Sequence, residues 1–139
     1  ESPGAMAALL ALDTDQVNAL CAQVAQEIGQ VIVMANDNCP GQAVVSGNIE
    51  AIDRLIEIAP EAGAKRAVKL AVSVAAHSPL MAPAAELFKE SIEATTWHEP
   101  HITVYGNVGA APLTAVAAIH EEVENQVTQA VRWTDRCSI

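Results

Sequence analysis

Apolar positions along the first half of the chain recur at two different periods, and each switch of period marks a new element. Gly4 to Leu12 is a run of small and apolar residues that predicts a strand, after which Asp13-Thr14-Asp15 offers N-cap oxygens and early-turn carboxylates to a helix. Val17, Leu20, Cys21, Val24 and Ile28 are then spaced by three and four up to Gly29, the pattern of an amphipathic helix with a left-handed stop. Val31 to Ala35 predicts a short strand, Asn36 to Gly41 a turn cluster, and Gln42 to Ser46 a second strand antiparallel to the first. With Asn48 as cap, Ile49, Ile52, Leu55, Ile56 and Ala59 form another helical stripe ending near Pro60 and Gly63, and Lys65 to Val72 returns to strand character. The order β-α-β-β-α-β predicts a ferredoxin-like subdomain over residues 4–72.

The second half follows a different plan. Pro79 opens a helix with Leu80, Ala84, Leu87, Phe88 and Ile92 on its apolar side, and Trp97 to Pro100 breaks it. Ile102 to Val108 predicts one strand, Pro112 to Thr114 a turn, and Ala115 to Thr128 a helix; Val131-Arg132-Trp133 leads into the last residues. One strand among helices has no sheet to join, so residues 73–139 are expected to be part of a larger α/β domain. The fold class expected for the whole is mixed α/β.

Composition narrows the function classes. Half of the 139 residues are apolar, enough for one core of ordinary domain size. Seven Lys and Arg against seventeen Asp and Glu give a formal charge of −10, which argues against phosphate-backbone binding, so nucleic acid is not expected as a partner. Lys65-Arg66 with Lys69 is the only basic cluster. There is no apolar stretch of membrane-span length and no signal-peptide pattern at the first residues, so a soluble, cytoplasmic protein without membrane association is expected. Cys21, Cys39 and Cys137 fit no disulfide or zinc spacing and are expected to be reduced thiols, Cys21 in the core.

Candidate chemistry centres on His77. It stands in Ser73-Val74-Ala75-Ala76-His77-Ser78-Pro79-Leu80-Met81, between the alternating segment 67–72 and the Pro-started helix, where an imidazole among small neighbours can take a proton near neutral pH. His98 and His101 flank Glu99-Pro100 and read as a surface loop, not a metal site. His120-Glu121-Glu122 and Glu124 read as a solvated helix face without chemistry.

Three segments in order, Asn36-Asp37-Asn38-Cys39-Pro40-Gly41-Gln42, Val68 to Met81, and Gln126-Val127-Thr128-Gln129-Ala130-Val131-Arg132-Trp133, resemble the malonyl-CoA:acyl carrier protein transacylases of fatty-acid synthesis. The resemblance implies an α/β hydrolase-like acyltransferase domain and two thiol-to-thiol acyl transfers through a serine ester. In the family, the histidine matching His77 takes the serine proton, a main-chain carbonyl at the position matching Gln126 orients it, and the residues matching Asn36 and Asn38 line the pantetheine approach. It further implies malonyl-CoA and acyl carrier protein as partners. No metal and no cofactor are expected, malonyl-CoA entering as substrate.

The departures from that pattern are specific. No Gly-x-Ser-x-Gly occurs: the serines are Ser2, Ser46, Ser73, Ser78, Ser91 and Ser138. The family's glycine-glutamine-glycine segment is absent too, and Arg54, Arg66, Arg132 and Arg136 do not match its malonyl-binding arginine. The resemblance therefore implies that the chain is the C-terminal portion of a longer enzyme and, by itself, inactive. Ala76 stands where many malonyl-selective members carry Phe, which leaves acyl specificity open with malonyl leading. Two other readings are compatible with these residues: an acyltransferase domain of a polyketide synthase, and a non-catalytic ferredoxin-like module that docks a carrier protein.

Overall fold

The computed structural model describes residues 3–137. β1 (Gly4–Leu10) is followed by α1 (Thr14–Ile28), β2 (Ile32–Cys39), β3 (Gln42–Asn48), α2 (Ile49–Ile58) and β4 (Arg66–Lys69), the order that the hydrophobic periods predict. Asp13 caps α1 as expected: its side chain accepts from the Gln16 N–H at 2.8 Å, and the Gln16 side chain accepts in return from the Asp13 N–H at 2.9 Å. Gly29 ends the helix in the left-handed region at φ 72°.

The main sheet has the order β4-β1-β3-β2-β7, antiparallel up to β2. Alternate residues Ala5, Ala7 and Leu9 of β1, with Ala43 and Val45 of β3, meet Val17, Leu20, Cys21 and Val24 of α1 and Ala51, Ile52, Leu55 and Ile58 of α2. Complete burial of a side chain such as Ile52 or Leu55 contributes about 1.5–3 kcal/mol, so this cluster is the main source of cohesion. All its members lie between residues 5 and 64; beyond residue 72, the buried apolar side chains among the described residues are Ala75 and Ile92.

Several local expectations change. β2 does not stop at Ala35 but runs to Cys39, because two irregularities in its pairing with β3, between Met34 and Asn36 and between Asp37 and Cys39, let the polar residues continue in the ladder. The turn is reduced to Pro40 and Gly41. Asn48 stands at the N-cap of α2, but its Oδ1 accepts from the Val31 N–H at 2.9 Å, tying β3 to the start of β2 instead of capping the helix. Ile49 is exposed, and Ala51 takes the buried place.

In the second half a 3₁₀ turn (Pro79–Met81) leads into α3 (Ala82–Glu93), then β5 (Val104–Tyr105), β6 (Pro112–Leu113), α4 (Val116–Asn125), β7 (Val131–Arg132) and α5 (Trp133–Arg136). The expected single strand is a two-residue strand paired antiparallel with β6, whose Pro112–Leu113 stands where a turn was predicted. β7, not anticipated, joins the main sheet parallel to β2, Val131 opposite Asn36 and Arg132 opposite Asp37. Two-residue strands carry too little pattern to be read from periodicity. Of the apolar side expected for α3, Ile92 is buried while Leu87 is 71% exposed. No helix among the described residues is long and apolar enough to cross a membrane.

Candidate active site

β4 ends at Lys69, so His77 lies on a connecting loop and not directly after a strand as the alternation to Val72 suggested. The loop is pinned at two places before it reaches His77. The Leu70 N–H donates to Met6 O at 2.8 Å, and Ala75 sits on Gly4 so closely that a Cβ on that glycine would come 2.5 Å from the Ala75 Cβ. Ser78 then starts the 3₁₀ turn: its Oγ donates to Ala75 O at 2.7 Å and accepts from the Leu80 N–H at 3.3 Å. Fully buried and used in this way, Ser78 is a structural cap for the turn.

Between these anchors His77 adopts φ 57°, a left-handed conformation that a residue with a Cβ takes only when its surroundings impose it. Two successive carbonyls at the end of α4 do so. The His77 N–H donates to Val127 O at 3.1 Å, and Nδ1 lies 2.5 Å from Gln126 O. A carbonyl oxygen can only accept, so Nδ1 carries the hydrogen and Nε2 keeps its lone pair. The ring is thus held in the tautomer of a general base with Nε2 as the proton-accepting atom.

Gln126 follows the last turn of α4, where its N–H donates to Glu122 O at 3.0 Å. From there the chain runs through Thr128 and Gln129, both bonded to Asn125 O, into β7 beside Asn36. The Thr134 hydroxyl donates to Asp37 Oδ1 at 2.7 Å. One segment, 126–134, therefore orients His77 at one end and braces the Asn36–Asp37 stretch at the other. Asn36 and Asn38 are half-buried on β2, and their side chains make no hydrogen bond among the described residues, which leaves amide donors and acceptors for a ligand.

Over 132 residues, or 95% of the chain, the sequence is 40% identical to the malonyl CoA-acyl carrier protein transacylase of Bacillus subtilis, and it is 39% identical over 135 residues to that of Haemophilus influenzae. The chain is thus similar to part of the malonyl-CoA:acyl carrier protein transacylases. It spans 41% and 43% of the length of these two relatives. Solved transacylase structures agree. The one from Xanthomonas oryzae superposes with a TM-score of 0.91 at 41% identity, covering 99% of this chain and 43% of that one. A malonyl-transacylase in complex with a type II polyketide acyl-carrier protein gives 0.90 at 38% identity over 96% of this chain and 42% of that one. No family model matches the chain.

Against that transacylase background, the remaining candidates fall into place. Ser46, Ser73, Ser78 and Ser91 are not hydrogen-bonded to His77, and Ser2 and Ser138 lie outside the described residues. Ala76, half-buried, precedes the histidine. His98 and His101 are exposed, and the described residues contain no cluster of His, Cys, Asp and Glu able to hold a metal. Burial pushes the Cys21 thiol up to about 12, so it is inert as a nucleophile, while Cys39 is exposed with Sγ 3.6 Å from Gln42 Oε1. The larger hollow, about 260 Å³ between α3 and α4, is lined by Glu86, Lys89, Glu124 and Asn125 among others, and does not include His77.

Two residues of α4 that the sequence reading places on a solvated face are engaged in contacts instead. Glu122, taken there for a solvated charge, turns inward and accepts from the backbone N–H groups of Asn107, Val108 and Gly109. His120 packs edge-on against Trp97, ring centroids 5.0 Å apart. Both lie on the α4 face that the loops after α3 cover, and neither a charge run nor a lone histidine signals such a loop in advance.

Proposed function

We propose that the protein transfers a malonyl group from malonyl-CoA to the phosphopantetheine thiol of acyl carrier protein, as a fatty-acid-biosynthesis acyltransferase in which His77 is the general base. The observation that carries this reading is the 2.5 Å contact of Nδ1 with Gln126 O, which leaves Nε2 as the acceptor. A serine from outside these 139 residues attacks the thioester carbonyl while Nε2 takes its proton; the tetrahedral adduct then expels the coenzyme A thiolate, which recovers that proton. In the second half-reaction Nε2 takes the proton of the carrier thiol, the thiolate attacks the serine ester, and the serine leaves with the proton. A neutral carbonyl orients the ring without placing beside it the full charge that an aspartate would bring. Asn36 and Asn38 meet the two amides of pantetheine. The scheme calls for no metal and no cofactor.

In this reading residues 4–72 are a ferredoxin-like subdomain, supported by the β4-β1-β3-β2 order and by a core confined to that stretch, and residues 73–139 belong to a larger α/β acyltransferase subdomain. The setting is cytoplasmic. A type II polyketide carrier is the second candidate acceptor, favoured by the similarity to a transacylase caught with such a carrier. A docking module without chemistry has less support, because it gives no role to the constrained His77 ring.

The test is intact-mass measurement of the full-length protein after rapid mixing with malonyl-CoA and then with a fatty-acid or polyketide holo-carrier. One malonyl group is expected on a serine and then on the carrier, and His77→Ala slows acylation by a factor on the order of 10² to 10⁴. Undiminished acylation in that variant would remove His77 from the mechanism.

A further inference from the structure

Glu122 is linked to the histidine site by two routes. Its own carbonyl accepts from the Gln126 N–H at 3.0 Å, one helical turn along α4, and the Gln126 carbonyl is the group that meets His77. Its carboxylate reaches in the other direction. Oε1 accepts from Asn107 N and from Val108 N, the latter at 2.8 Å, and Oε2 accepts from Gly109 N at 3.3 Å. Three successive backbone N–H groups of the β5–β6 loop thus converge on one carboxylate, a strong charge-assisted arrangement. The loop is shaped for it: Gly106 is buried, and a Cβ there would overlap the Glu122 carboxylate.

Asn107 passes the constraint on. Its carbonyl accepts from the Arg132 N–H at 2.8 Å, and its side-chain Oδ1 accepts from Arg136 Nη1 at 2.7 Å. Arg132 lies in β7, the strand that pairs with Asn36 and Asp37. Segment 126–132 is therefore held at α4 by the helix backbone and at β7 by Asn107, and the Glu122 carboxylate is what ties the Asn107 end to α4. Little apolar burial is available to do this instead, since Ile92 is the only fully buried large apolar side chain beyond residue 72 among the described residues.

From this geometry we infer that Glu122 is a positioning residue of the acyl-transfer site, fixing the Gln126 carbonyl against His77 and β7 beside Asn36 without touching substrate. The inference rests on the transacylase reading and adds to it a residue that acts through the histidine. A displacement of the Gln126 carbonyl by a fraction of an ångström weakens the Nδ1 hydrogen bond and lets the ring rotate or change tautomer, so the chemical step suffers more than thioester binding, because Asn36 is also held by β3.

The experiment uses the full-length enzyme and three variants, Glu122→Ala, Glu122→Gln and His77→Ala, with serine acylation kinetics and the ¹⁵N resonances of the His77 ring as readouts. For Glu122→Ala, kcat is expected to fall on the order of 10-fold to 10²-fold with a smaller change in KM for malonyl-CoA, and the His77 nitrogens to show mixed tautomers. Glu122→Gln keeps one acceptor oxygen and is expected to recover most of kcat. If Glu122→Ala leaves kcat and the His77 resonances as in the parent while His77→Ala is slow, the inference is wrong and the transacylase reading stands. If His77→Ala itself is as fast as the parent, that reading falls and the inference with it. Should Glu122→Ala not fold, Gly106→Ala decides: its Cβ displaces the same carboxylate and is expected to reproduce the loss in kcat, and a parent-like kcat overturns the inference.

Discussion

Two substitutions at His77 that both delete the imidazole should differ in stability, because the backbone there is left-handed. At φ 57° any residue with a Cβ carries a strain of about 1–2 kcal/mol that glycine escapes. Against this, glycine loses about 0.4–1 kcal/mol more than alanine through the greater freedom of its unfolded chain. The net expectation is that His77→Gly is more stable than His77→Ala by ~0.5–1 kcal/mol. Both variants also lose the bond to Gln126 O, worth about 0.5–1.5 kcal/mol, so alanine should fall below the parent while glycine, relieved of the strain, stays closer to it. Equilibrium urea unfolding of the full-length protein reads this as midpoints at constant slope, alanine below both glycine and the parent. Acylation of the serine should be lost to the same degree in both, since neither offers a base. An alanine variant as stable as the glycine variant would mean that His77 does not hold this conformation in solution. A glycine variant that acylates like the parent would remove the imidazole from the chemistry.

Other consequences are as direct. A polypeptide of these 139 residues mixed with malonyl-CoA should take up no malonyl mass on Ser or Cys, since no serine among the described residues is hydrogen-bonded to His77; an adduct would refute this. Gln126→Ala in the full-length enzyme should keep kcat within about threefold, because the main-chain oxygen orients the ring; a loss like that of His77→Ala, on the general-base scale, would assign the role to the side chain. Burial raises the Cys21 thiol from 9.0 to about 12, so its contribution to stability is complete below pH 9.0 and is lost as pH rises through about 12. Alkylation of the native protein at mildly alkaline pH should accordingly label Cys39 and Cys137 and spare Cys21, and equal labelling of all three would contradict the burial. Hydrogen exchange on the 139-residue chain should protect β1, β3 and α2 as one unit and residues 82–125 far less; equal protection in a demonstrated monomer would show the second half to be self-sufficient.

The first half was legible because its elements are long enough to show their period. α1 repeats its apolar spacing over four turns between a capping box and a left-handed glycine, and every residue of that stripe lies in or against the core. The polar end of β2 was not legible: Asn36, Asp37 and Asn38 have the composition of a turn, and only the irregular pairing with β3 keeps them in a strand. β5, β6 and β7 are two residues each and exist through contacts distant in sequence, such as Val131 with Asn36. The same distinction runs through the site. His77, Gln126, Asn36 and Asn38 were found by resemblance, and the structure joins His77 to Gln126 directly and Asn36 to the same segment through β7. Glu122 was missed because three backbone N–H groups leave no mark in a sequence.

The use of backbone carbonyls to set His77 also explains how so sparsely packed a region can hold an imidazole in one orientation. A carboxylate partner would have to be desolvated beside the ring, at a cost that a well-packed shell recovers and an open one does not. Gln126 O and Val127 O are already fixed by the helix that precedes them, so they supply orienting acceptors with no buried charge next to the ring. The charge is placed one helical turn away instead, on Glu122, where three N–H donors compensate it. Orientation and charge compensation are thus separated along α4. The ring is oriented with no charge beside it, while the Glu122 carboxylate ties the β5–β6 loop to α4 where apolar packing is thin.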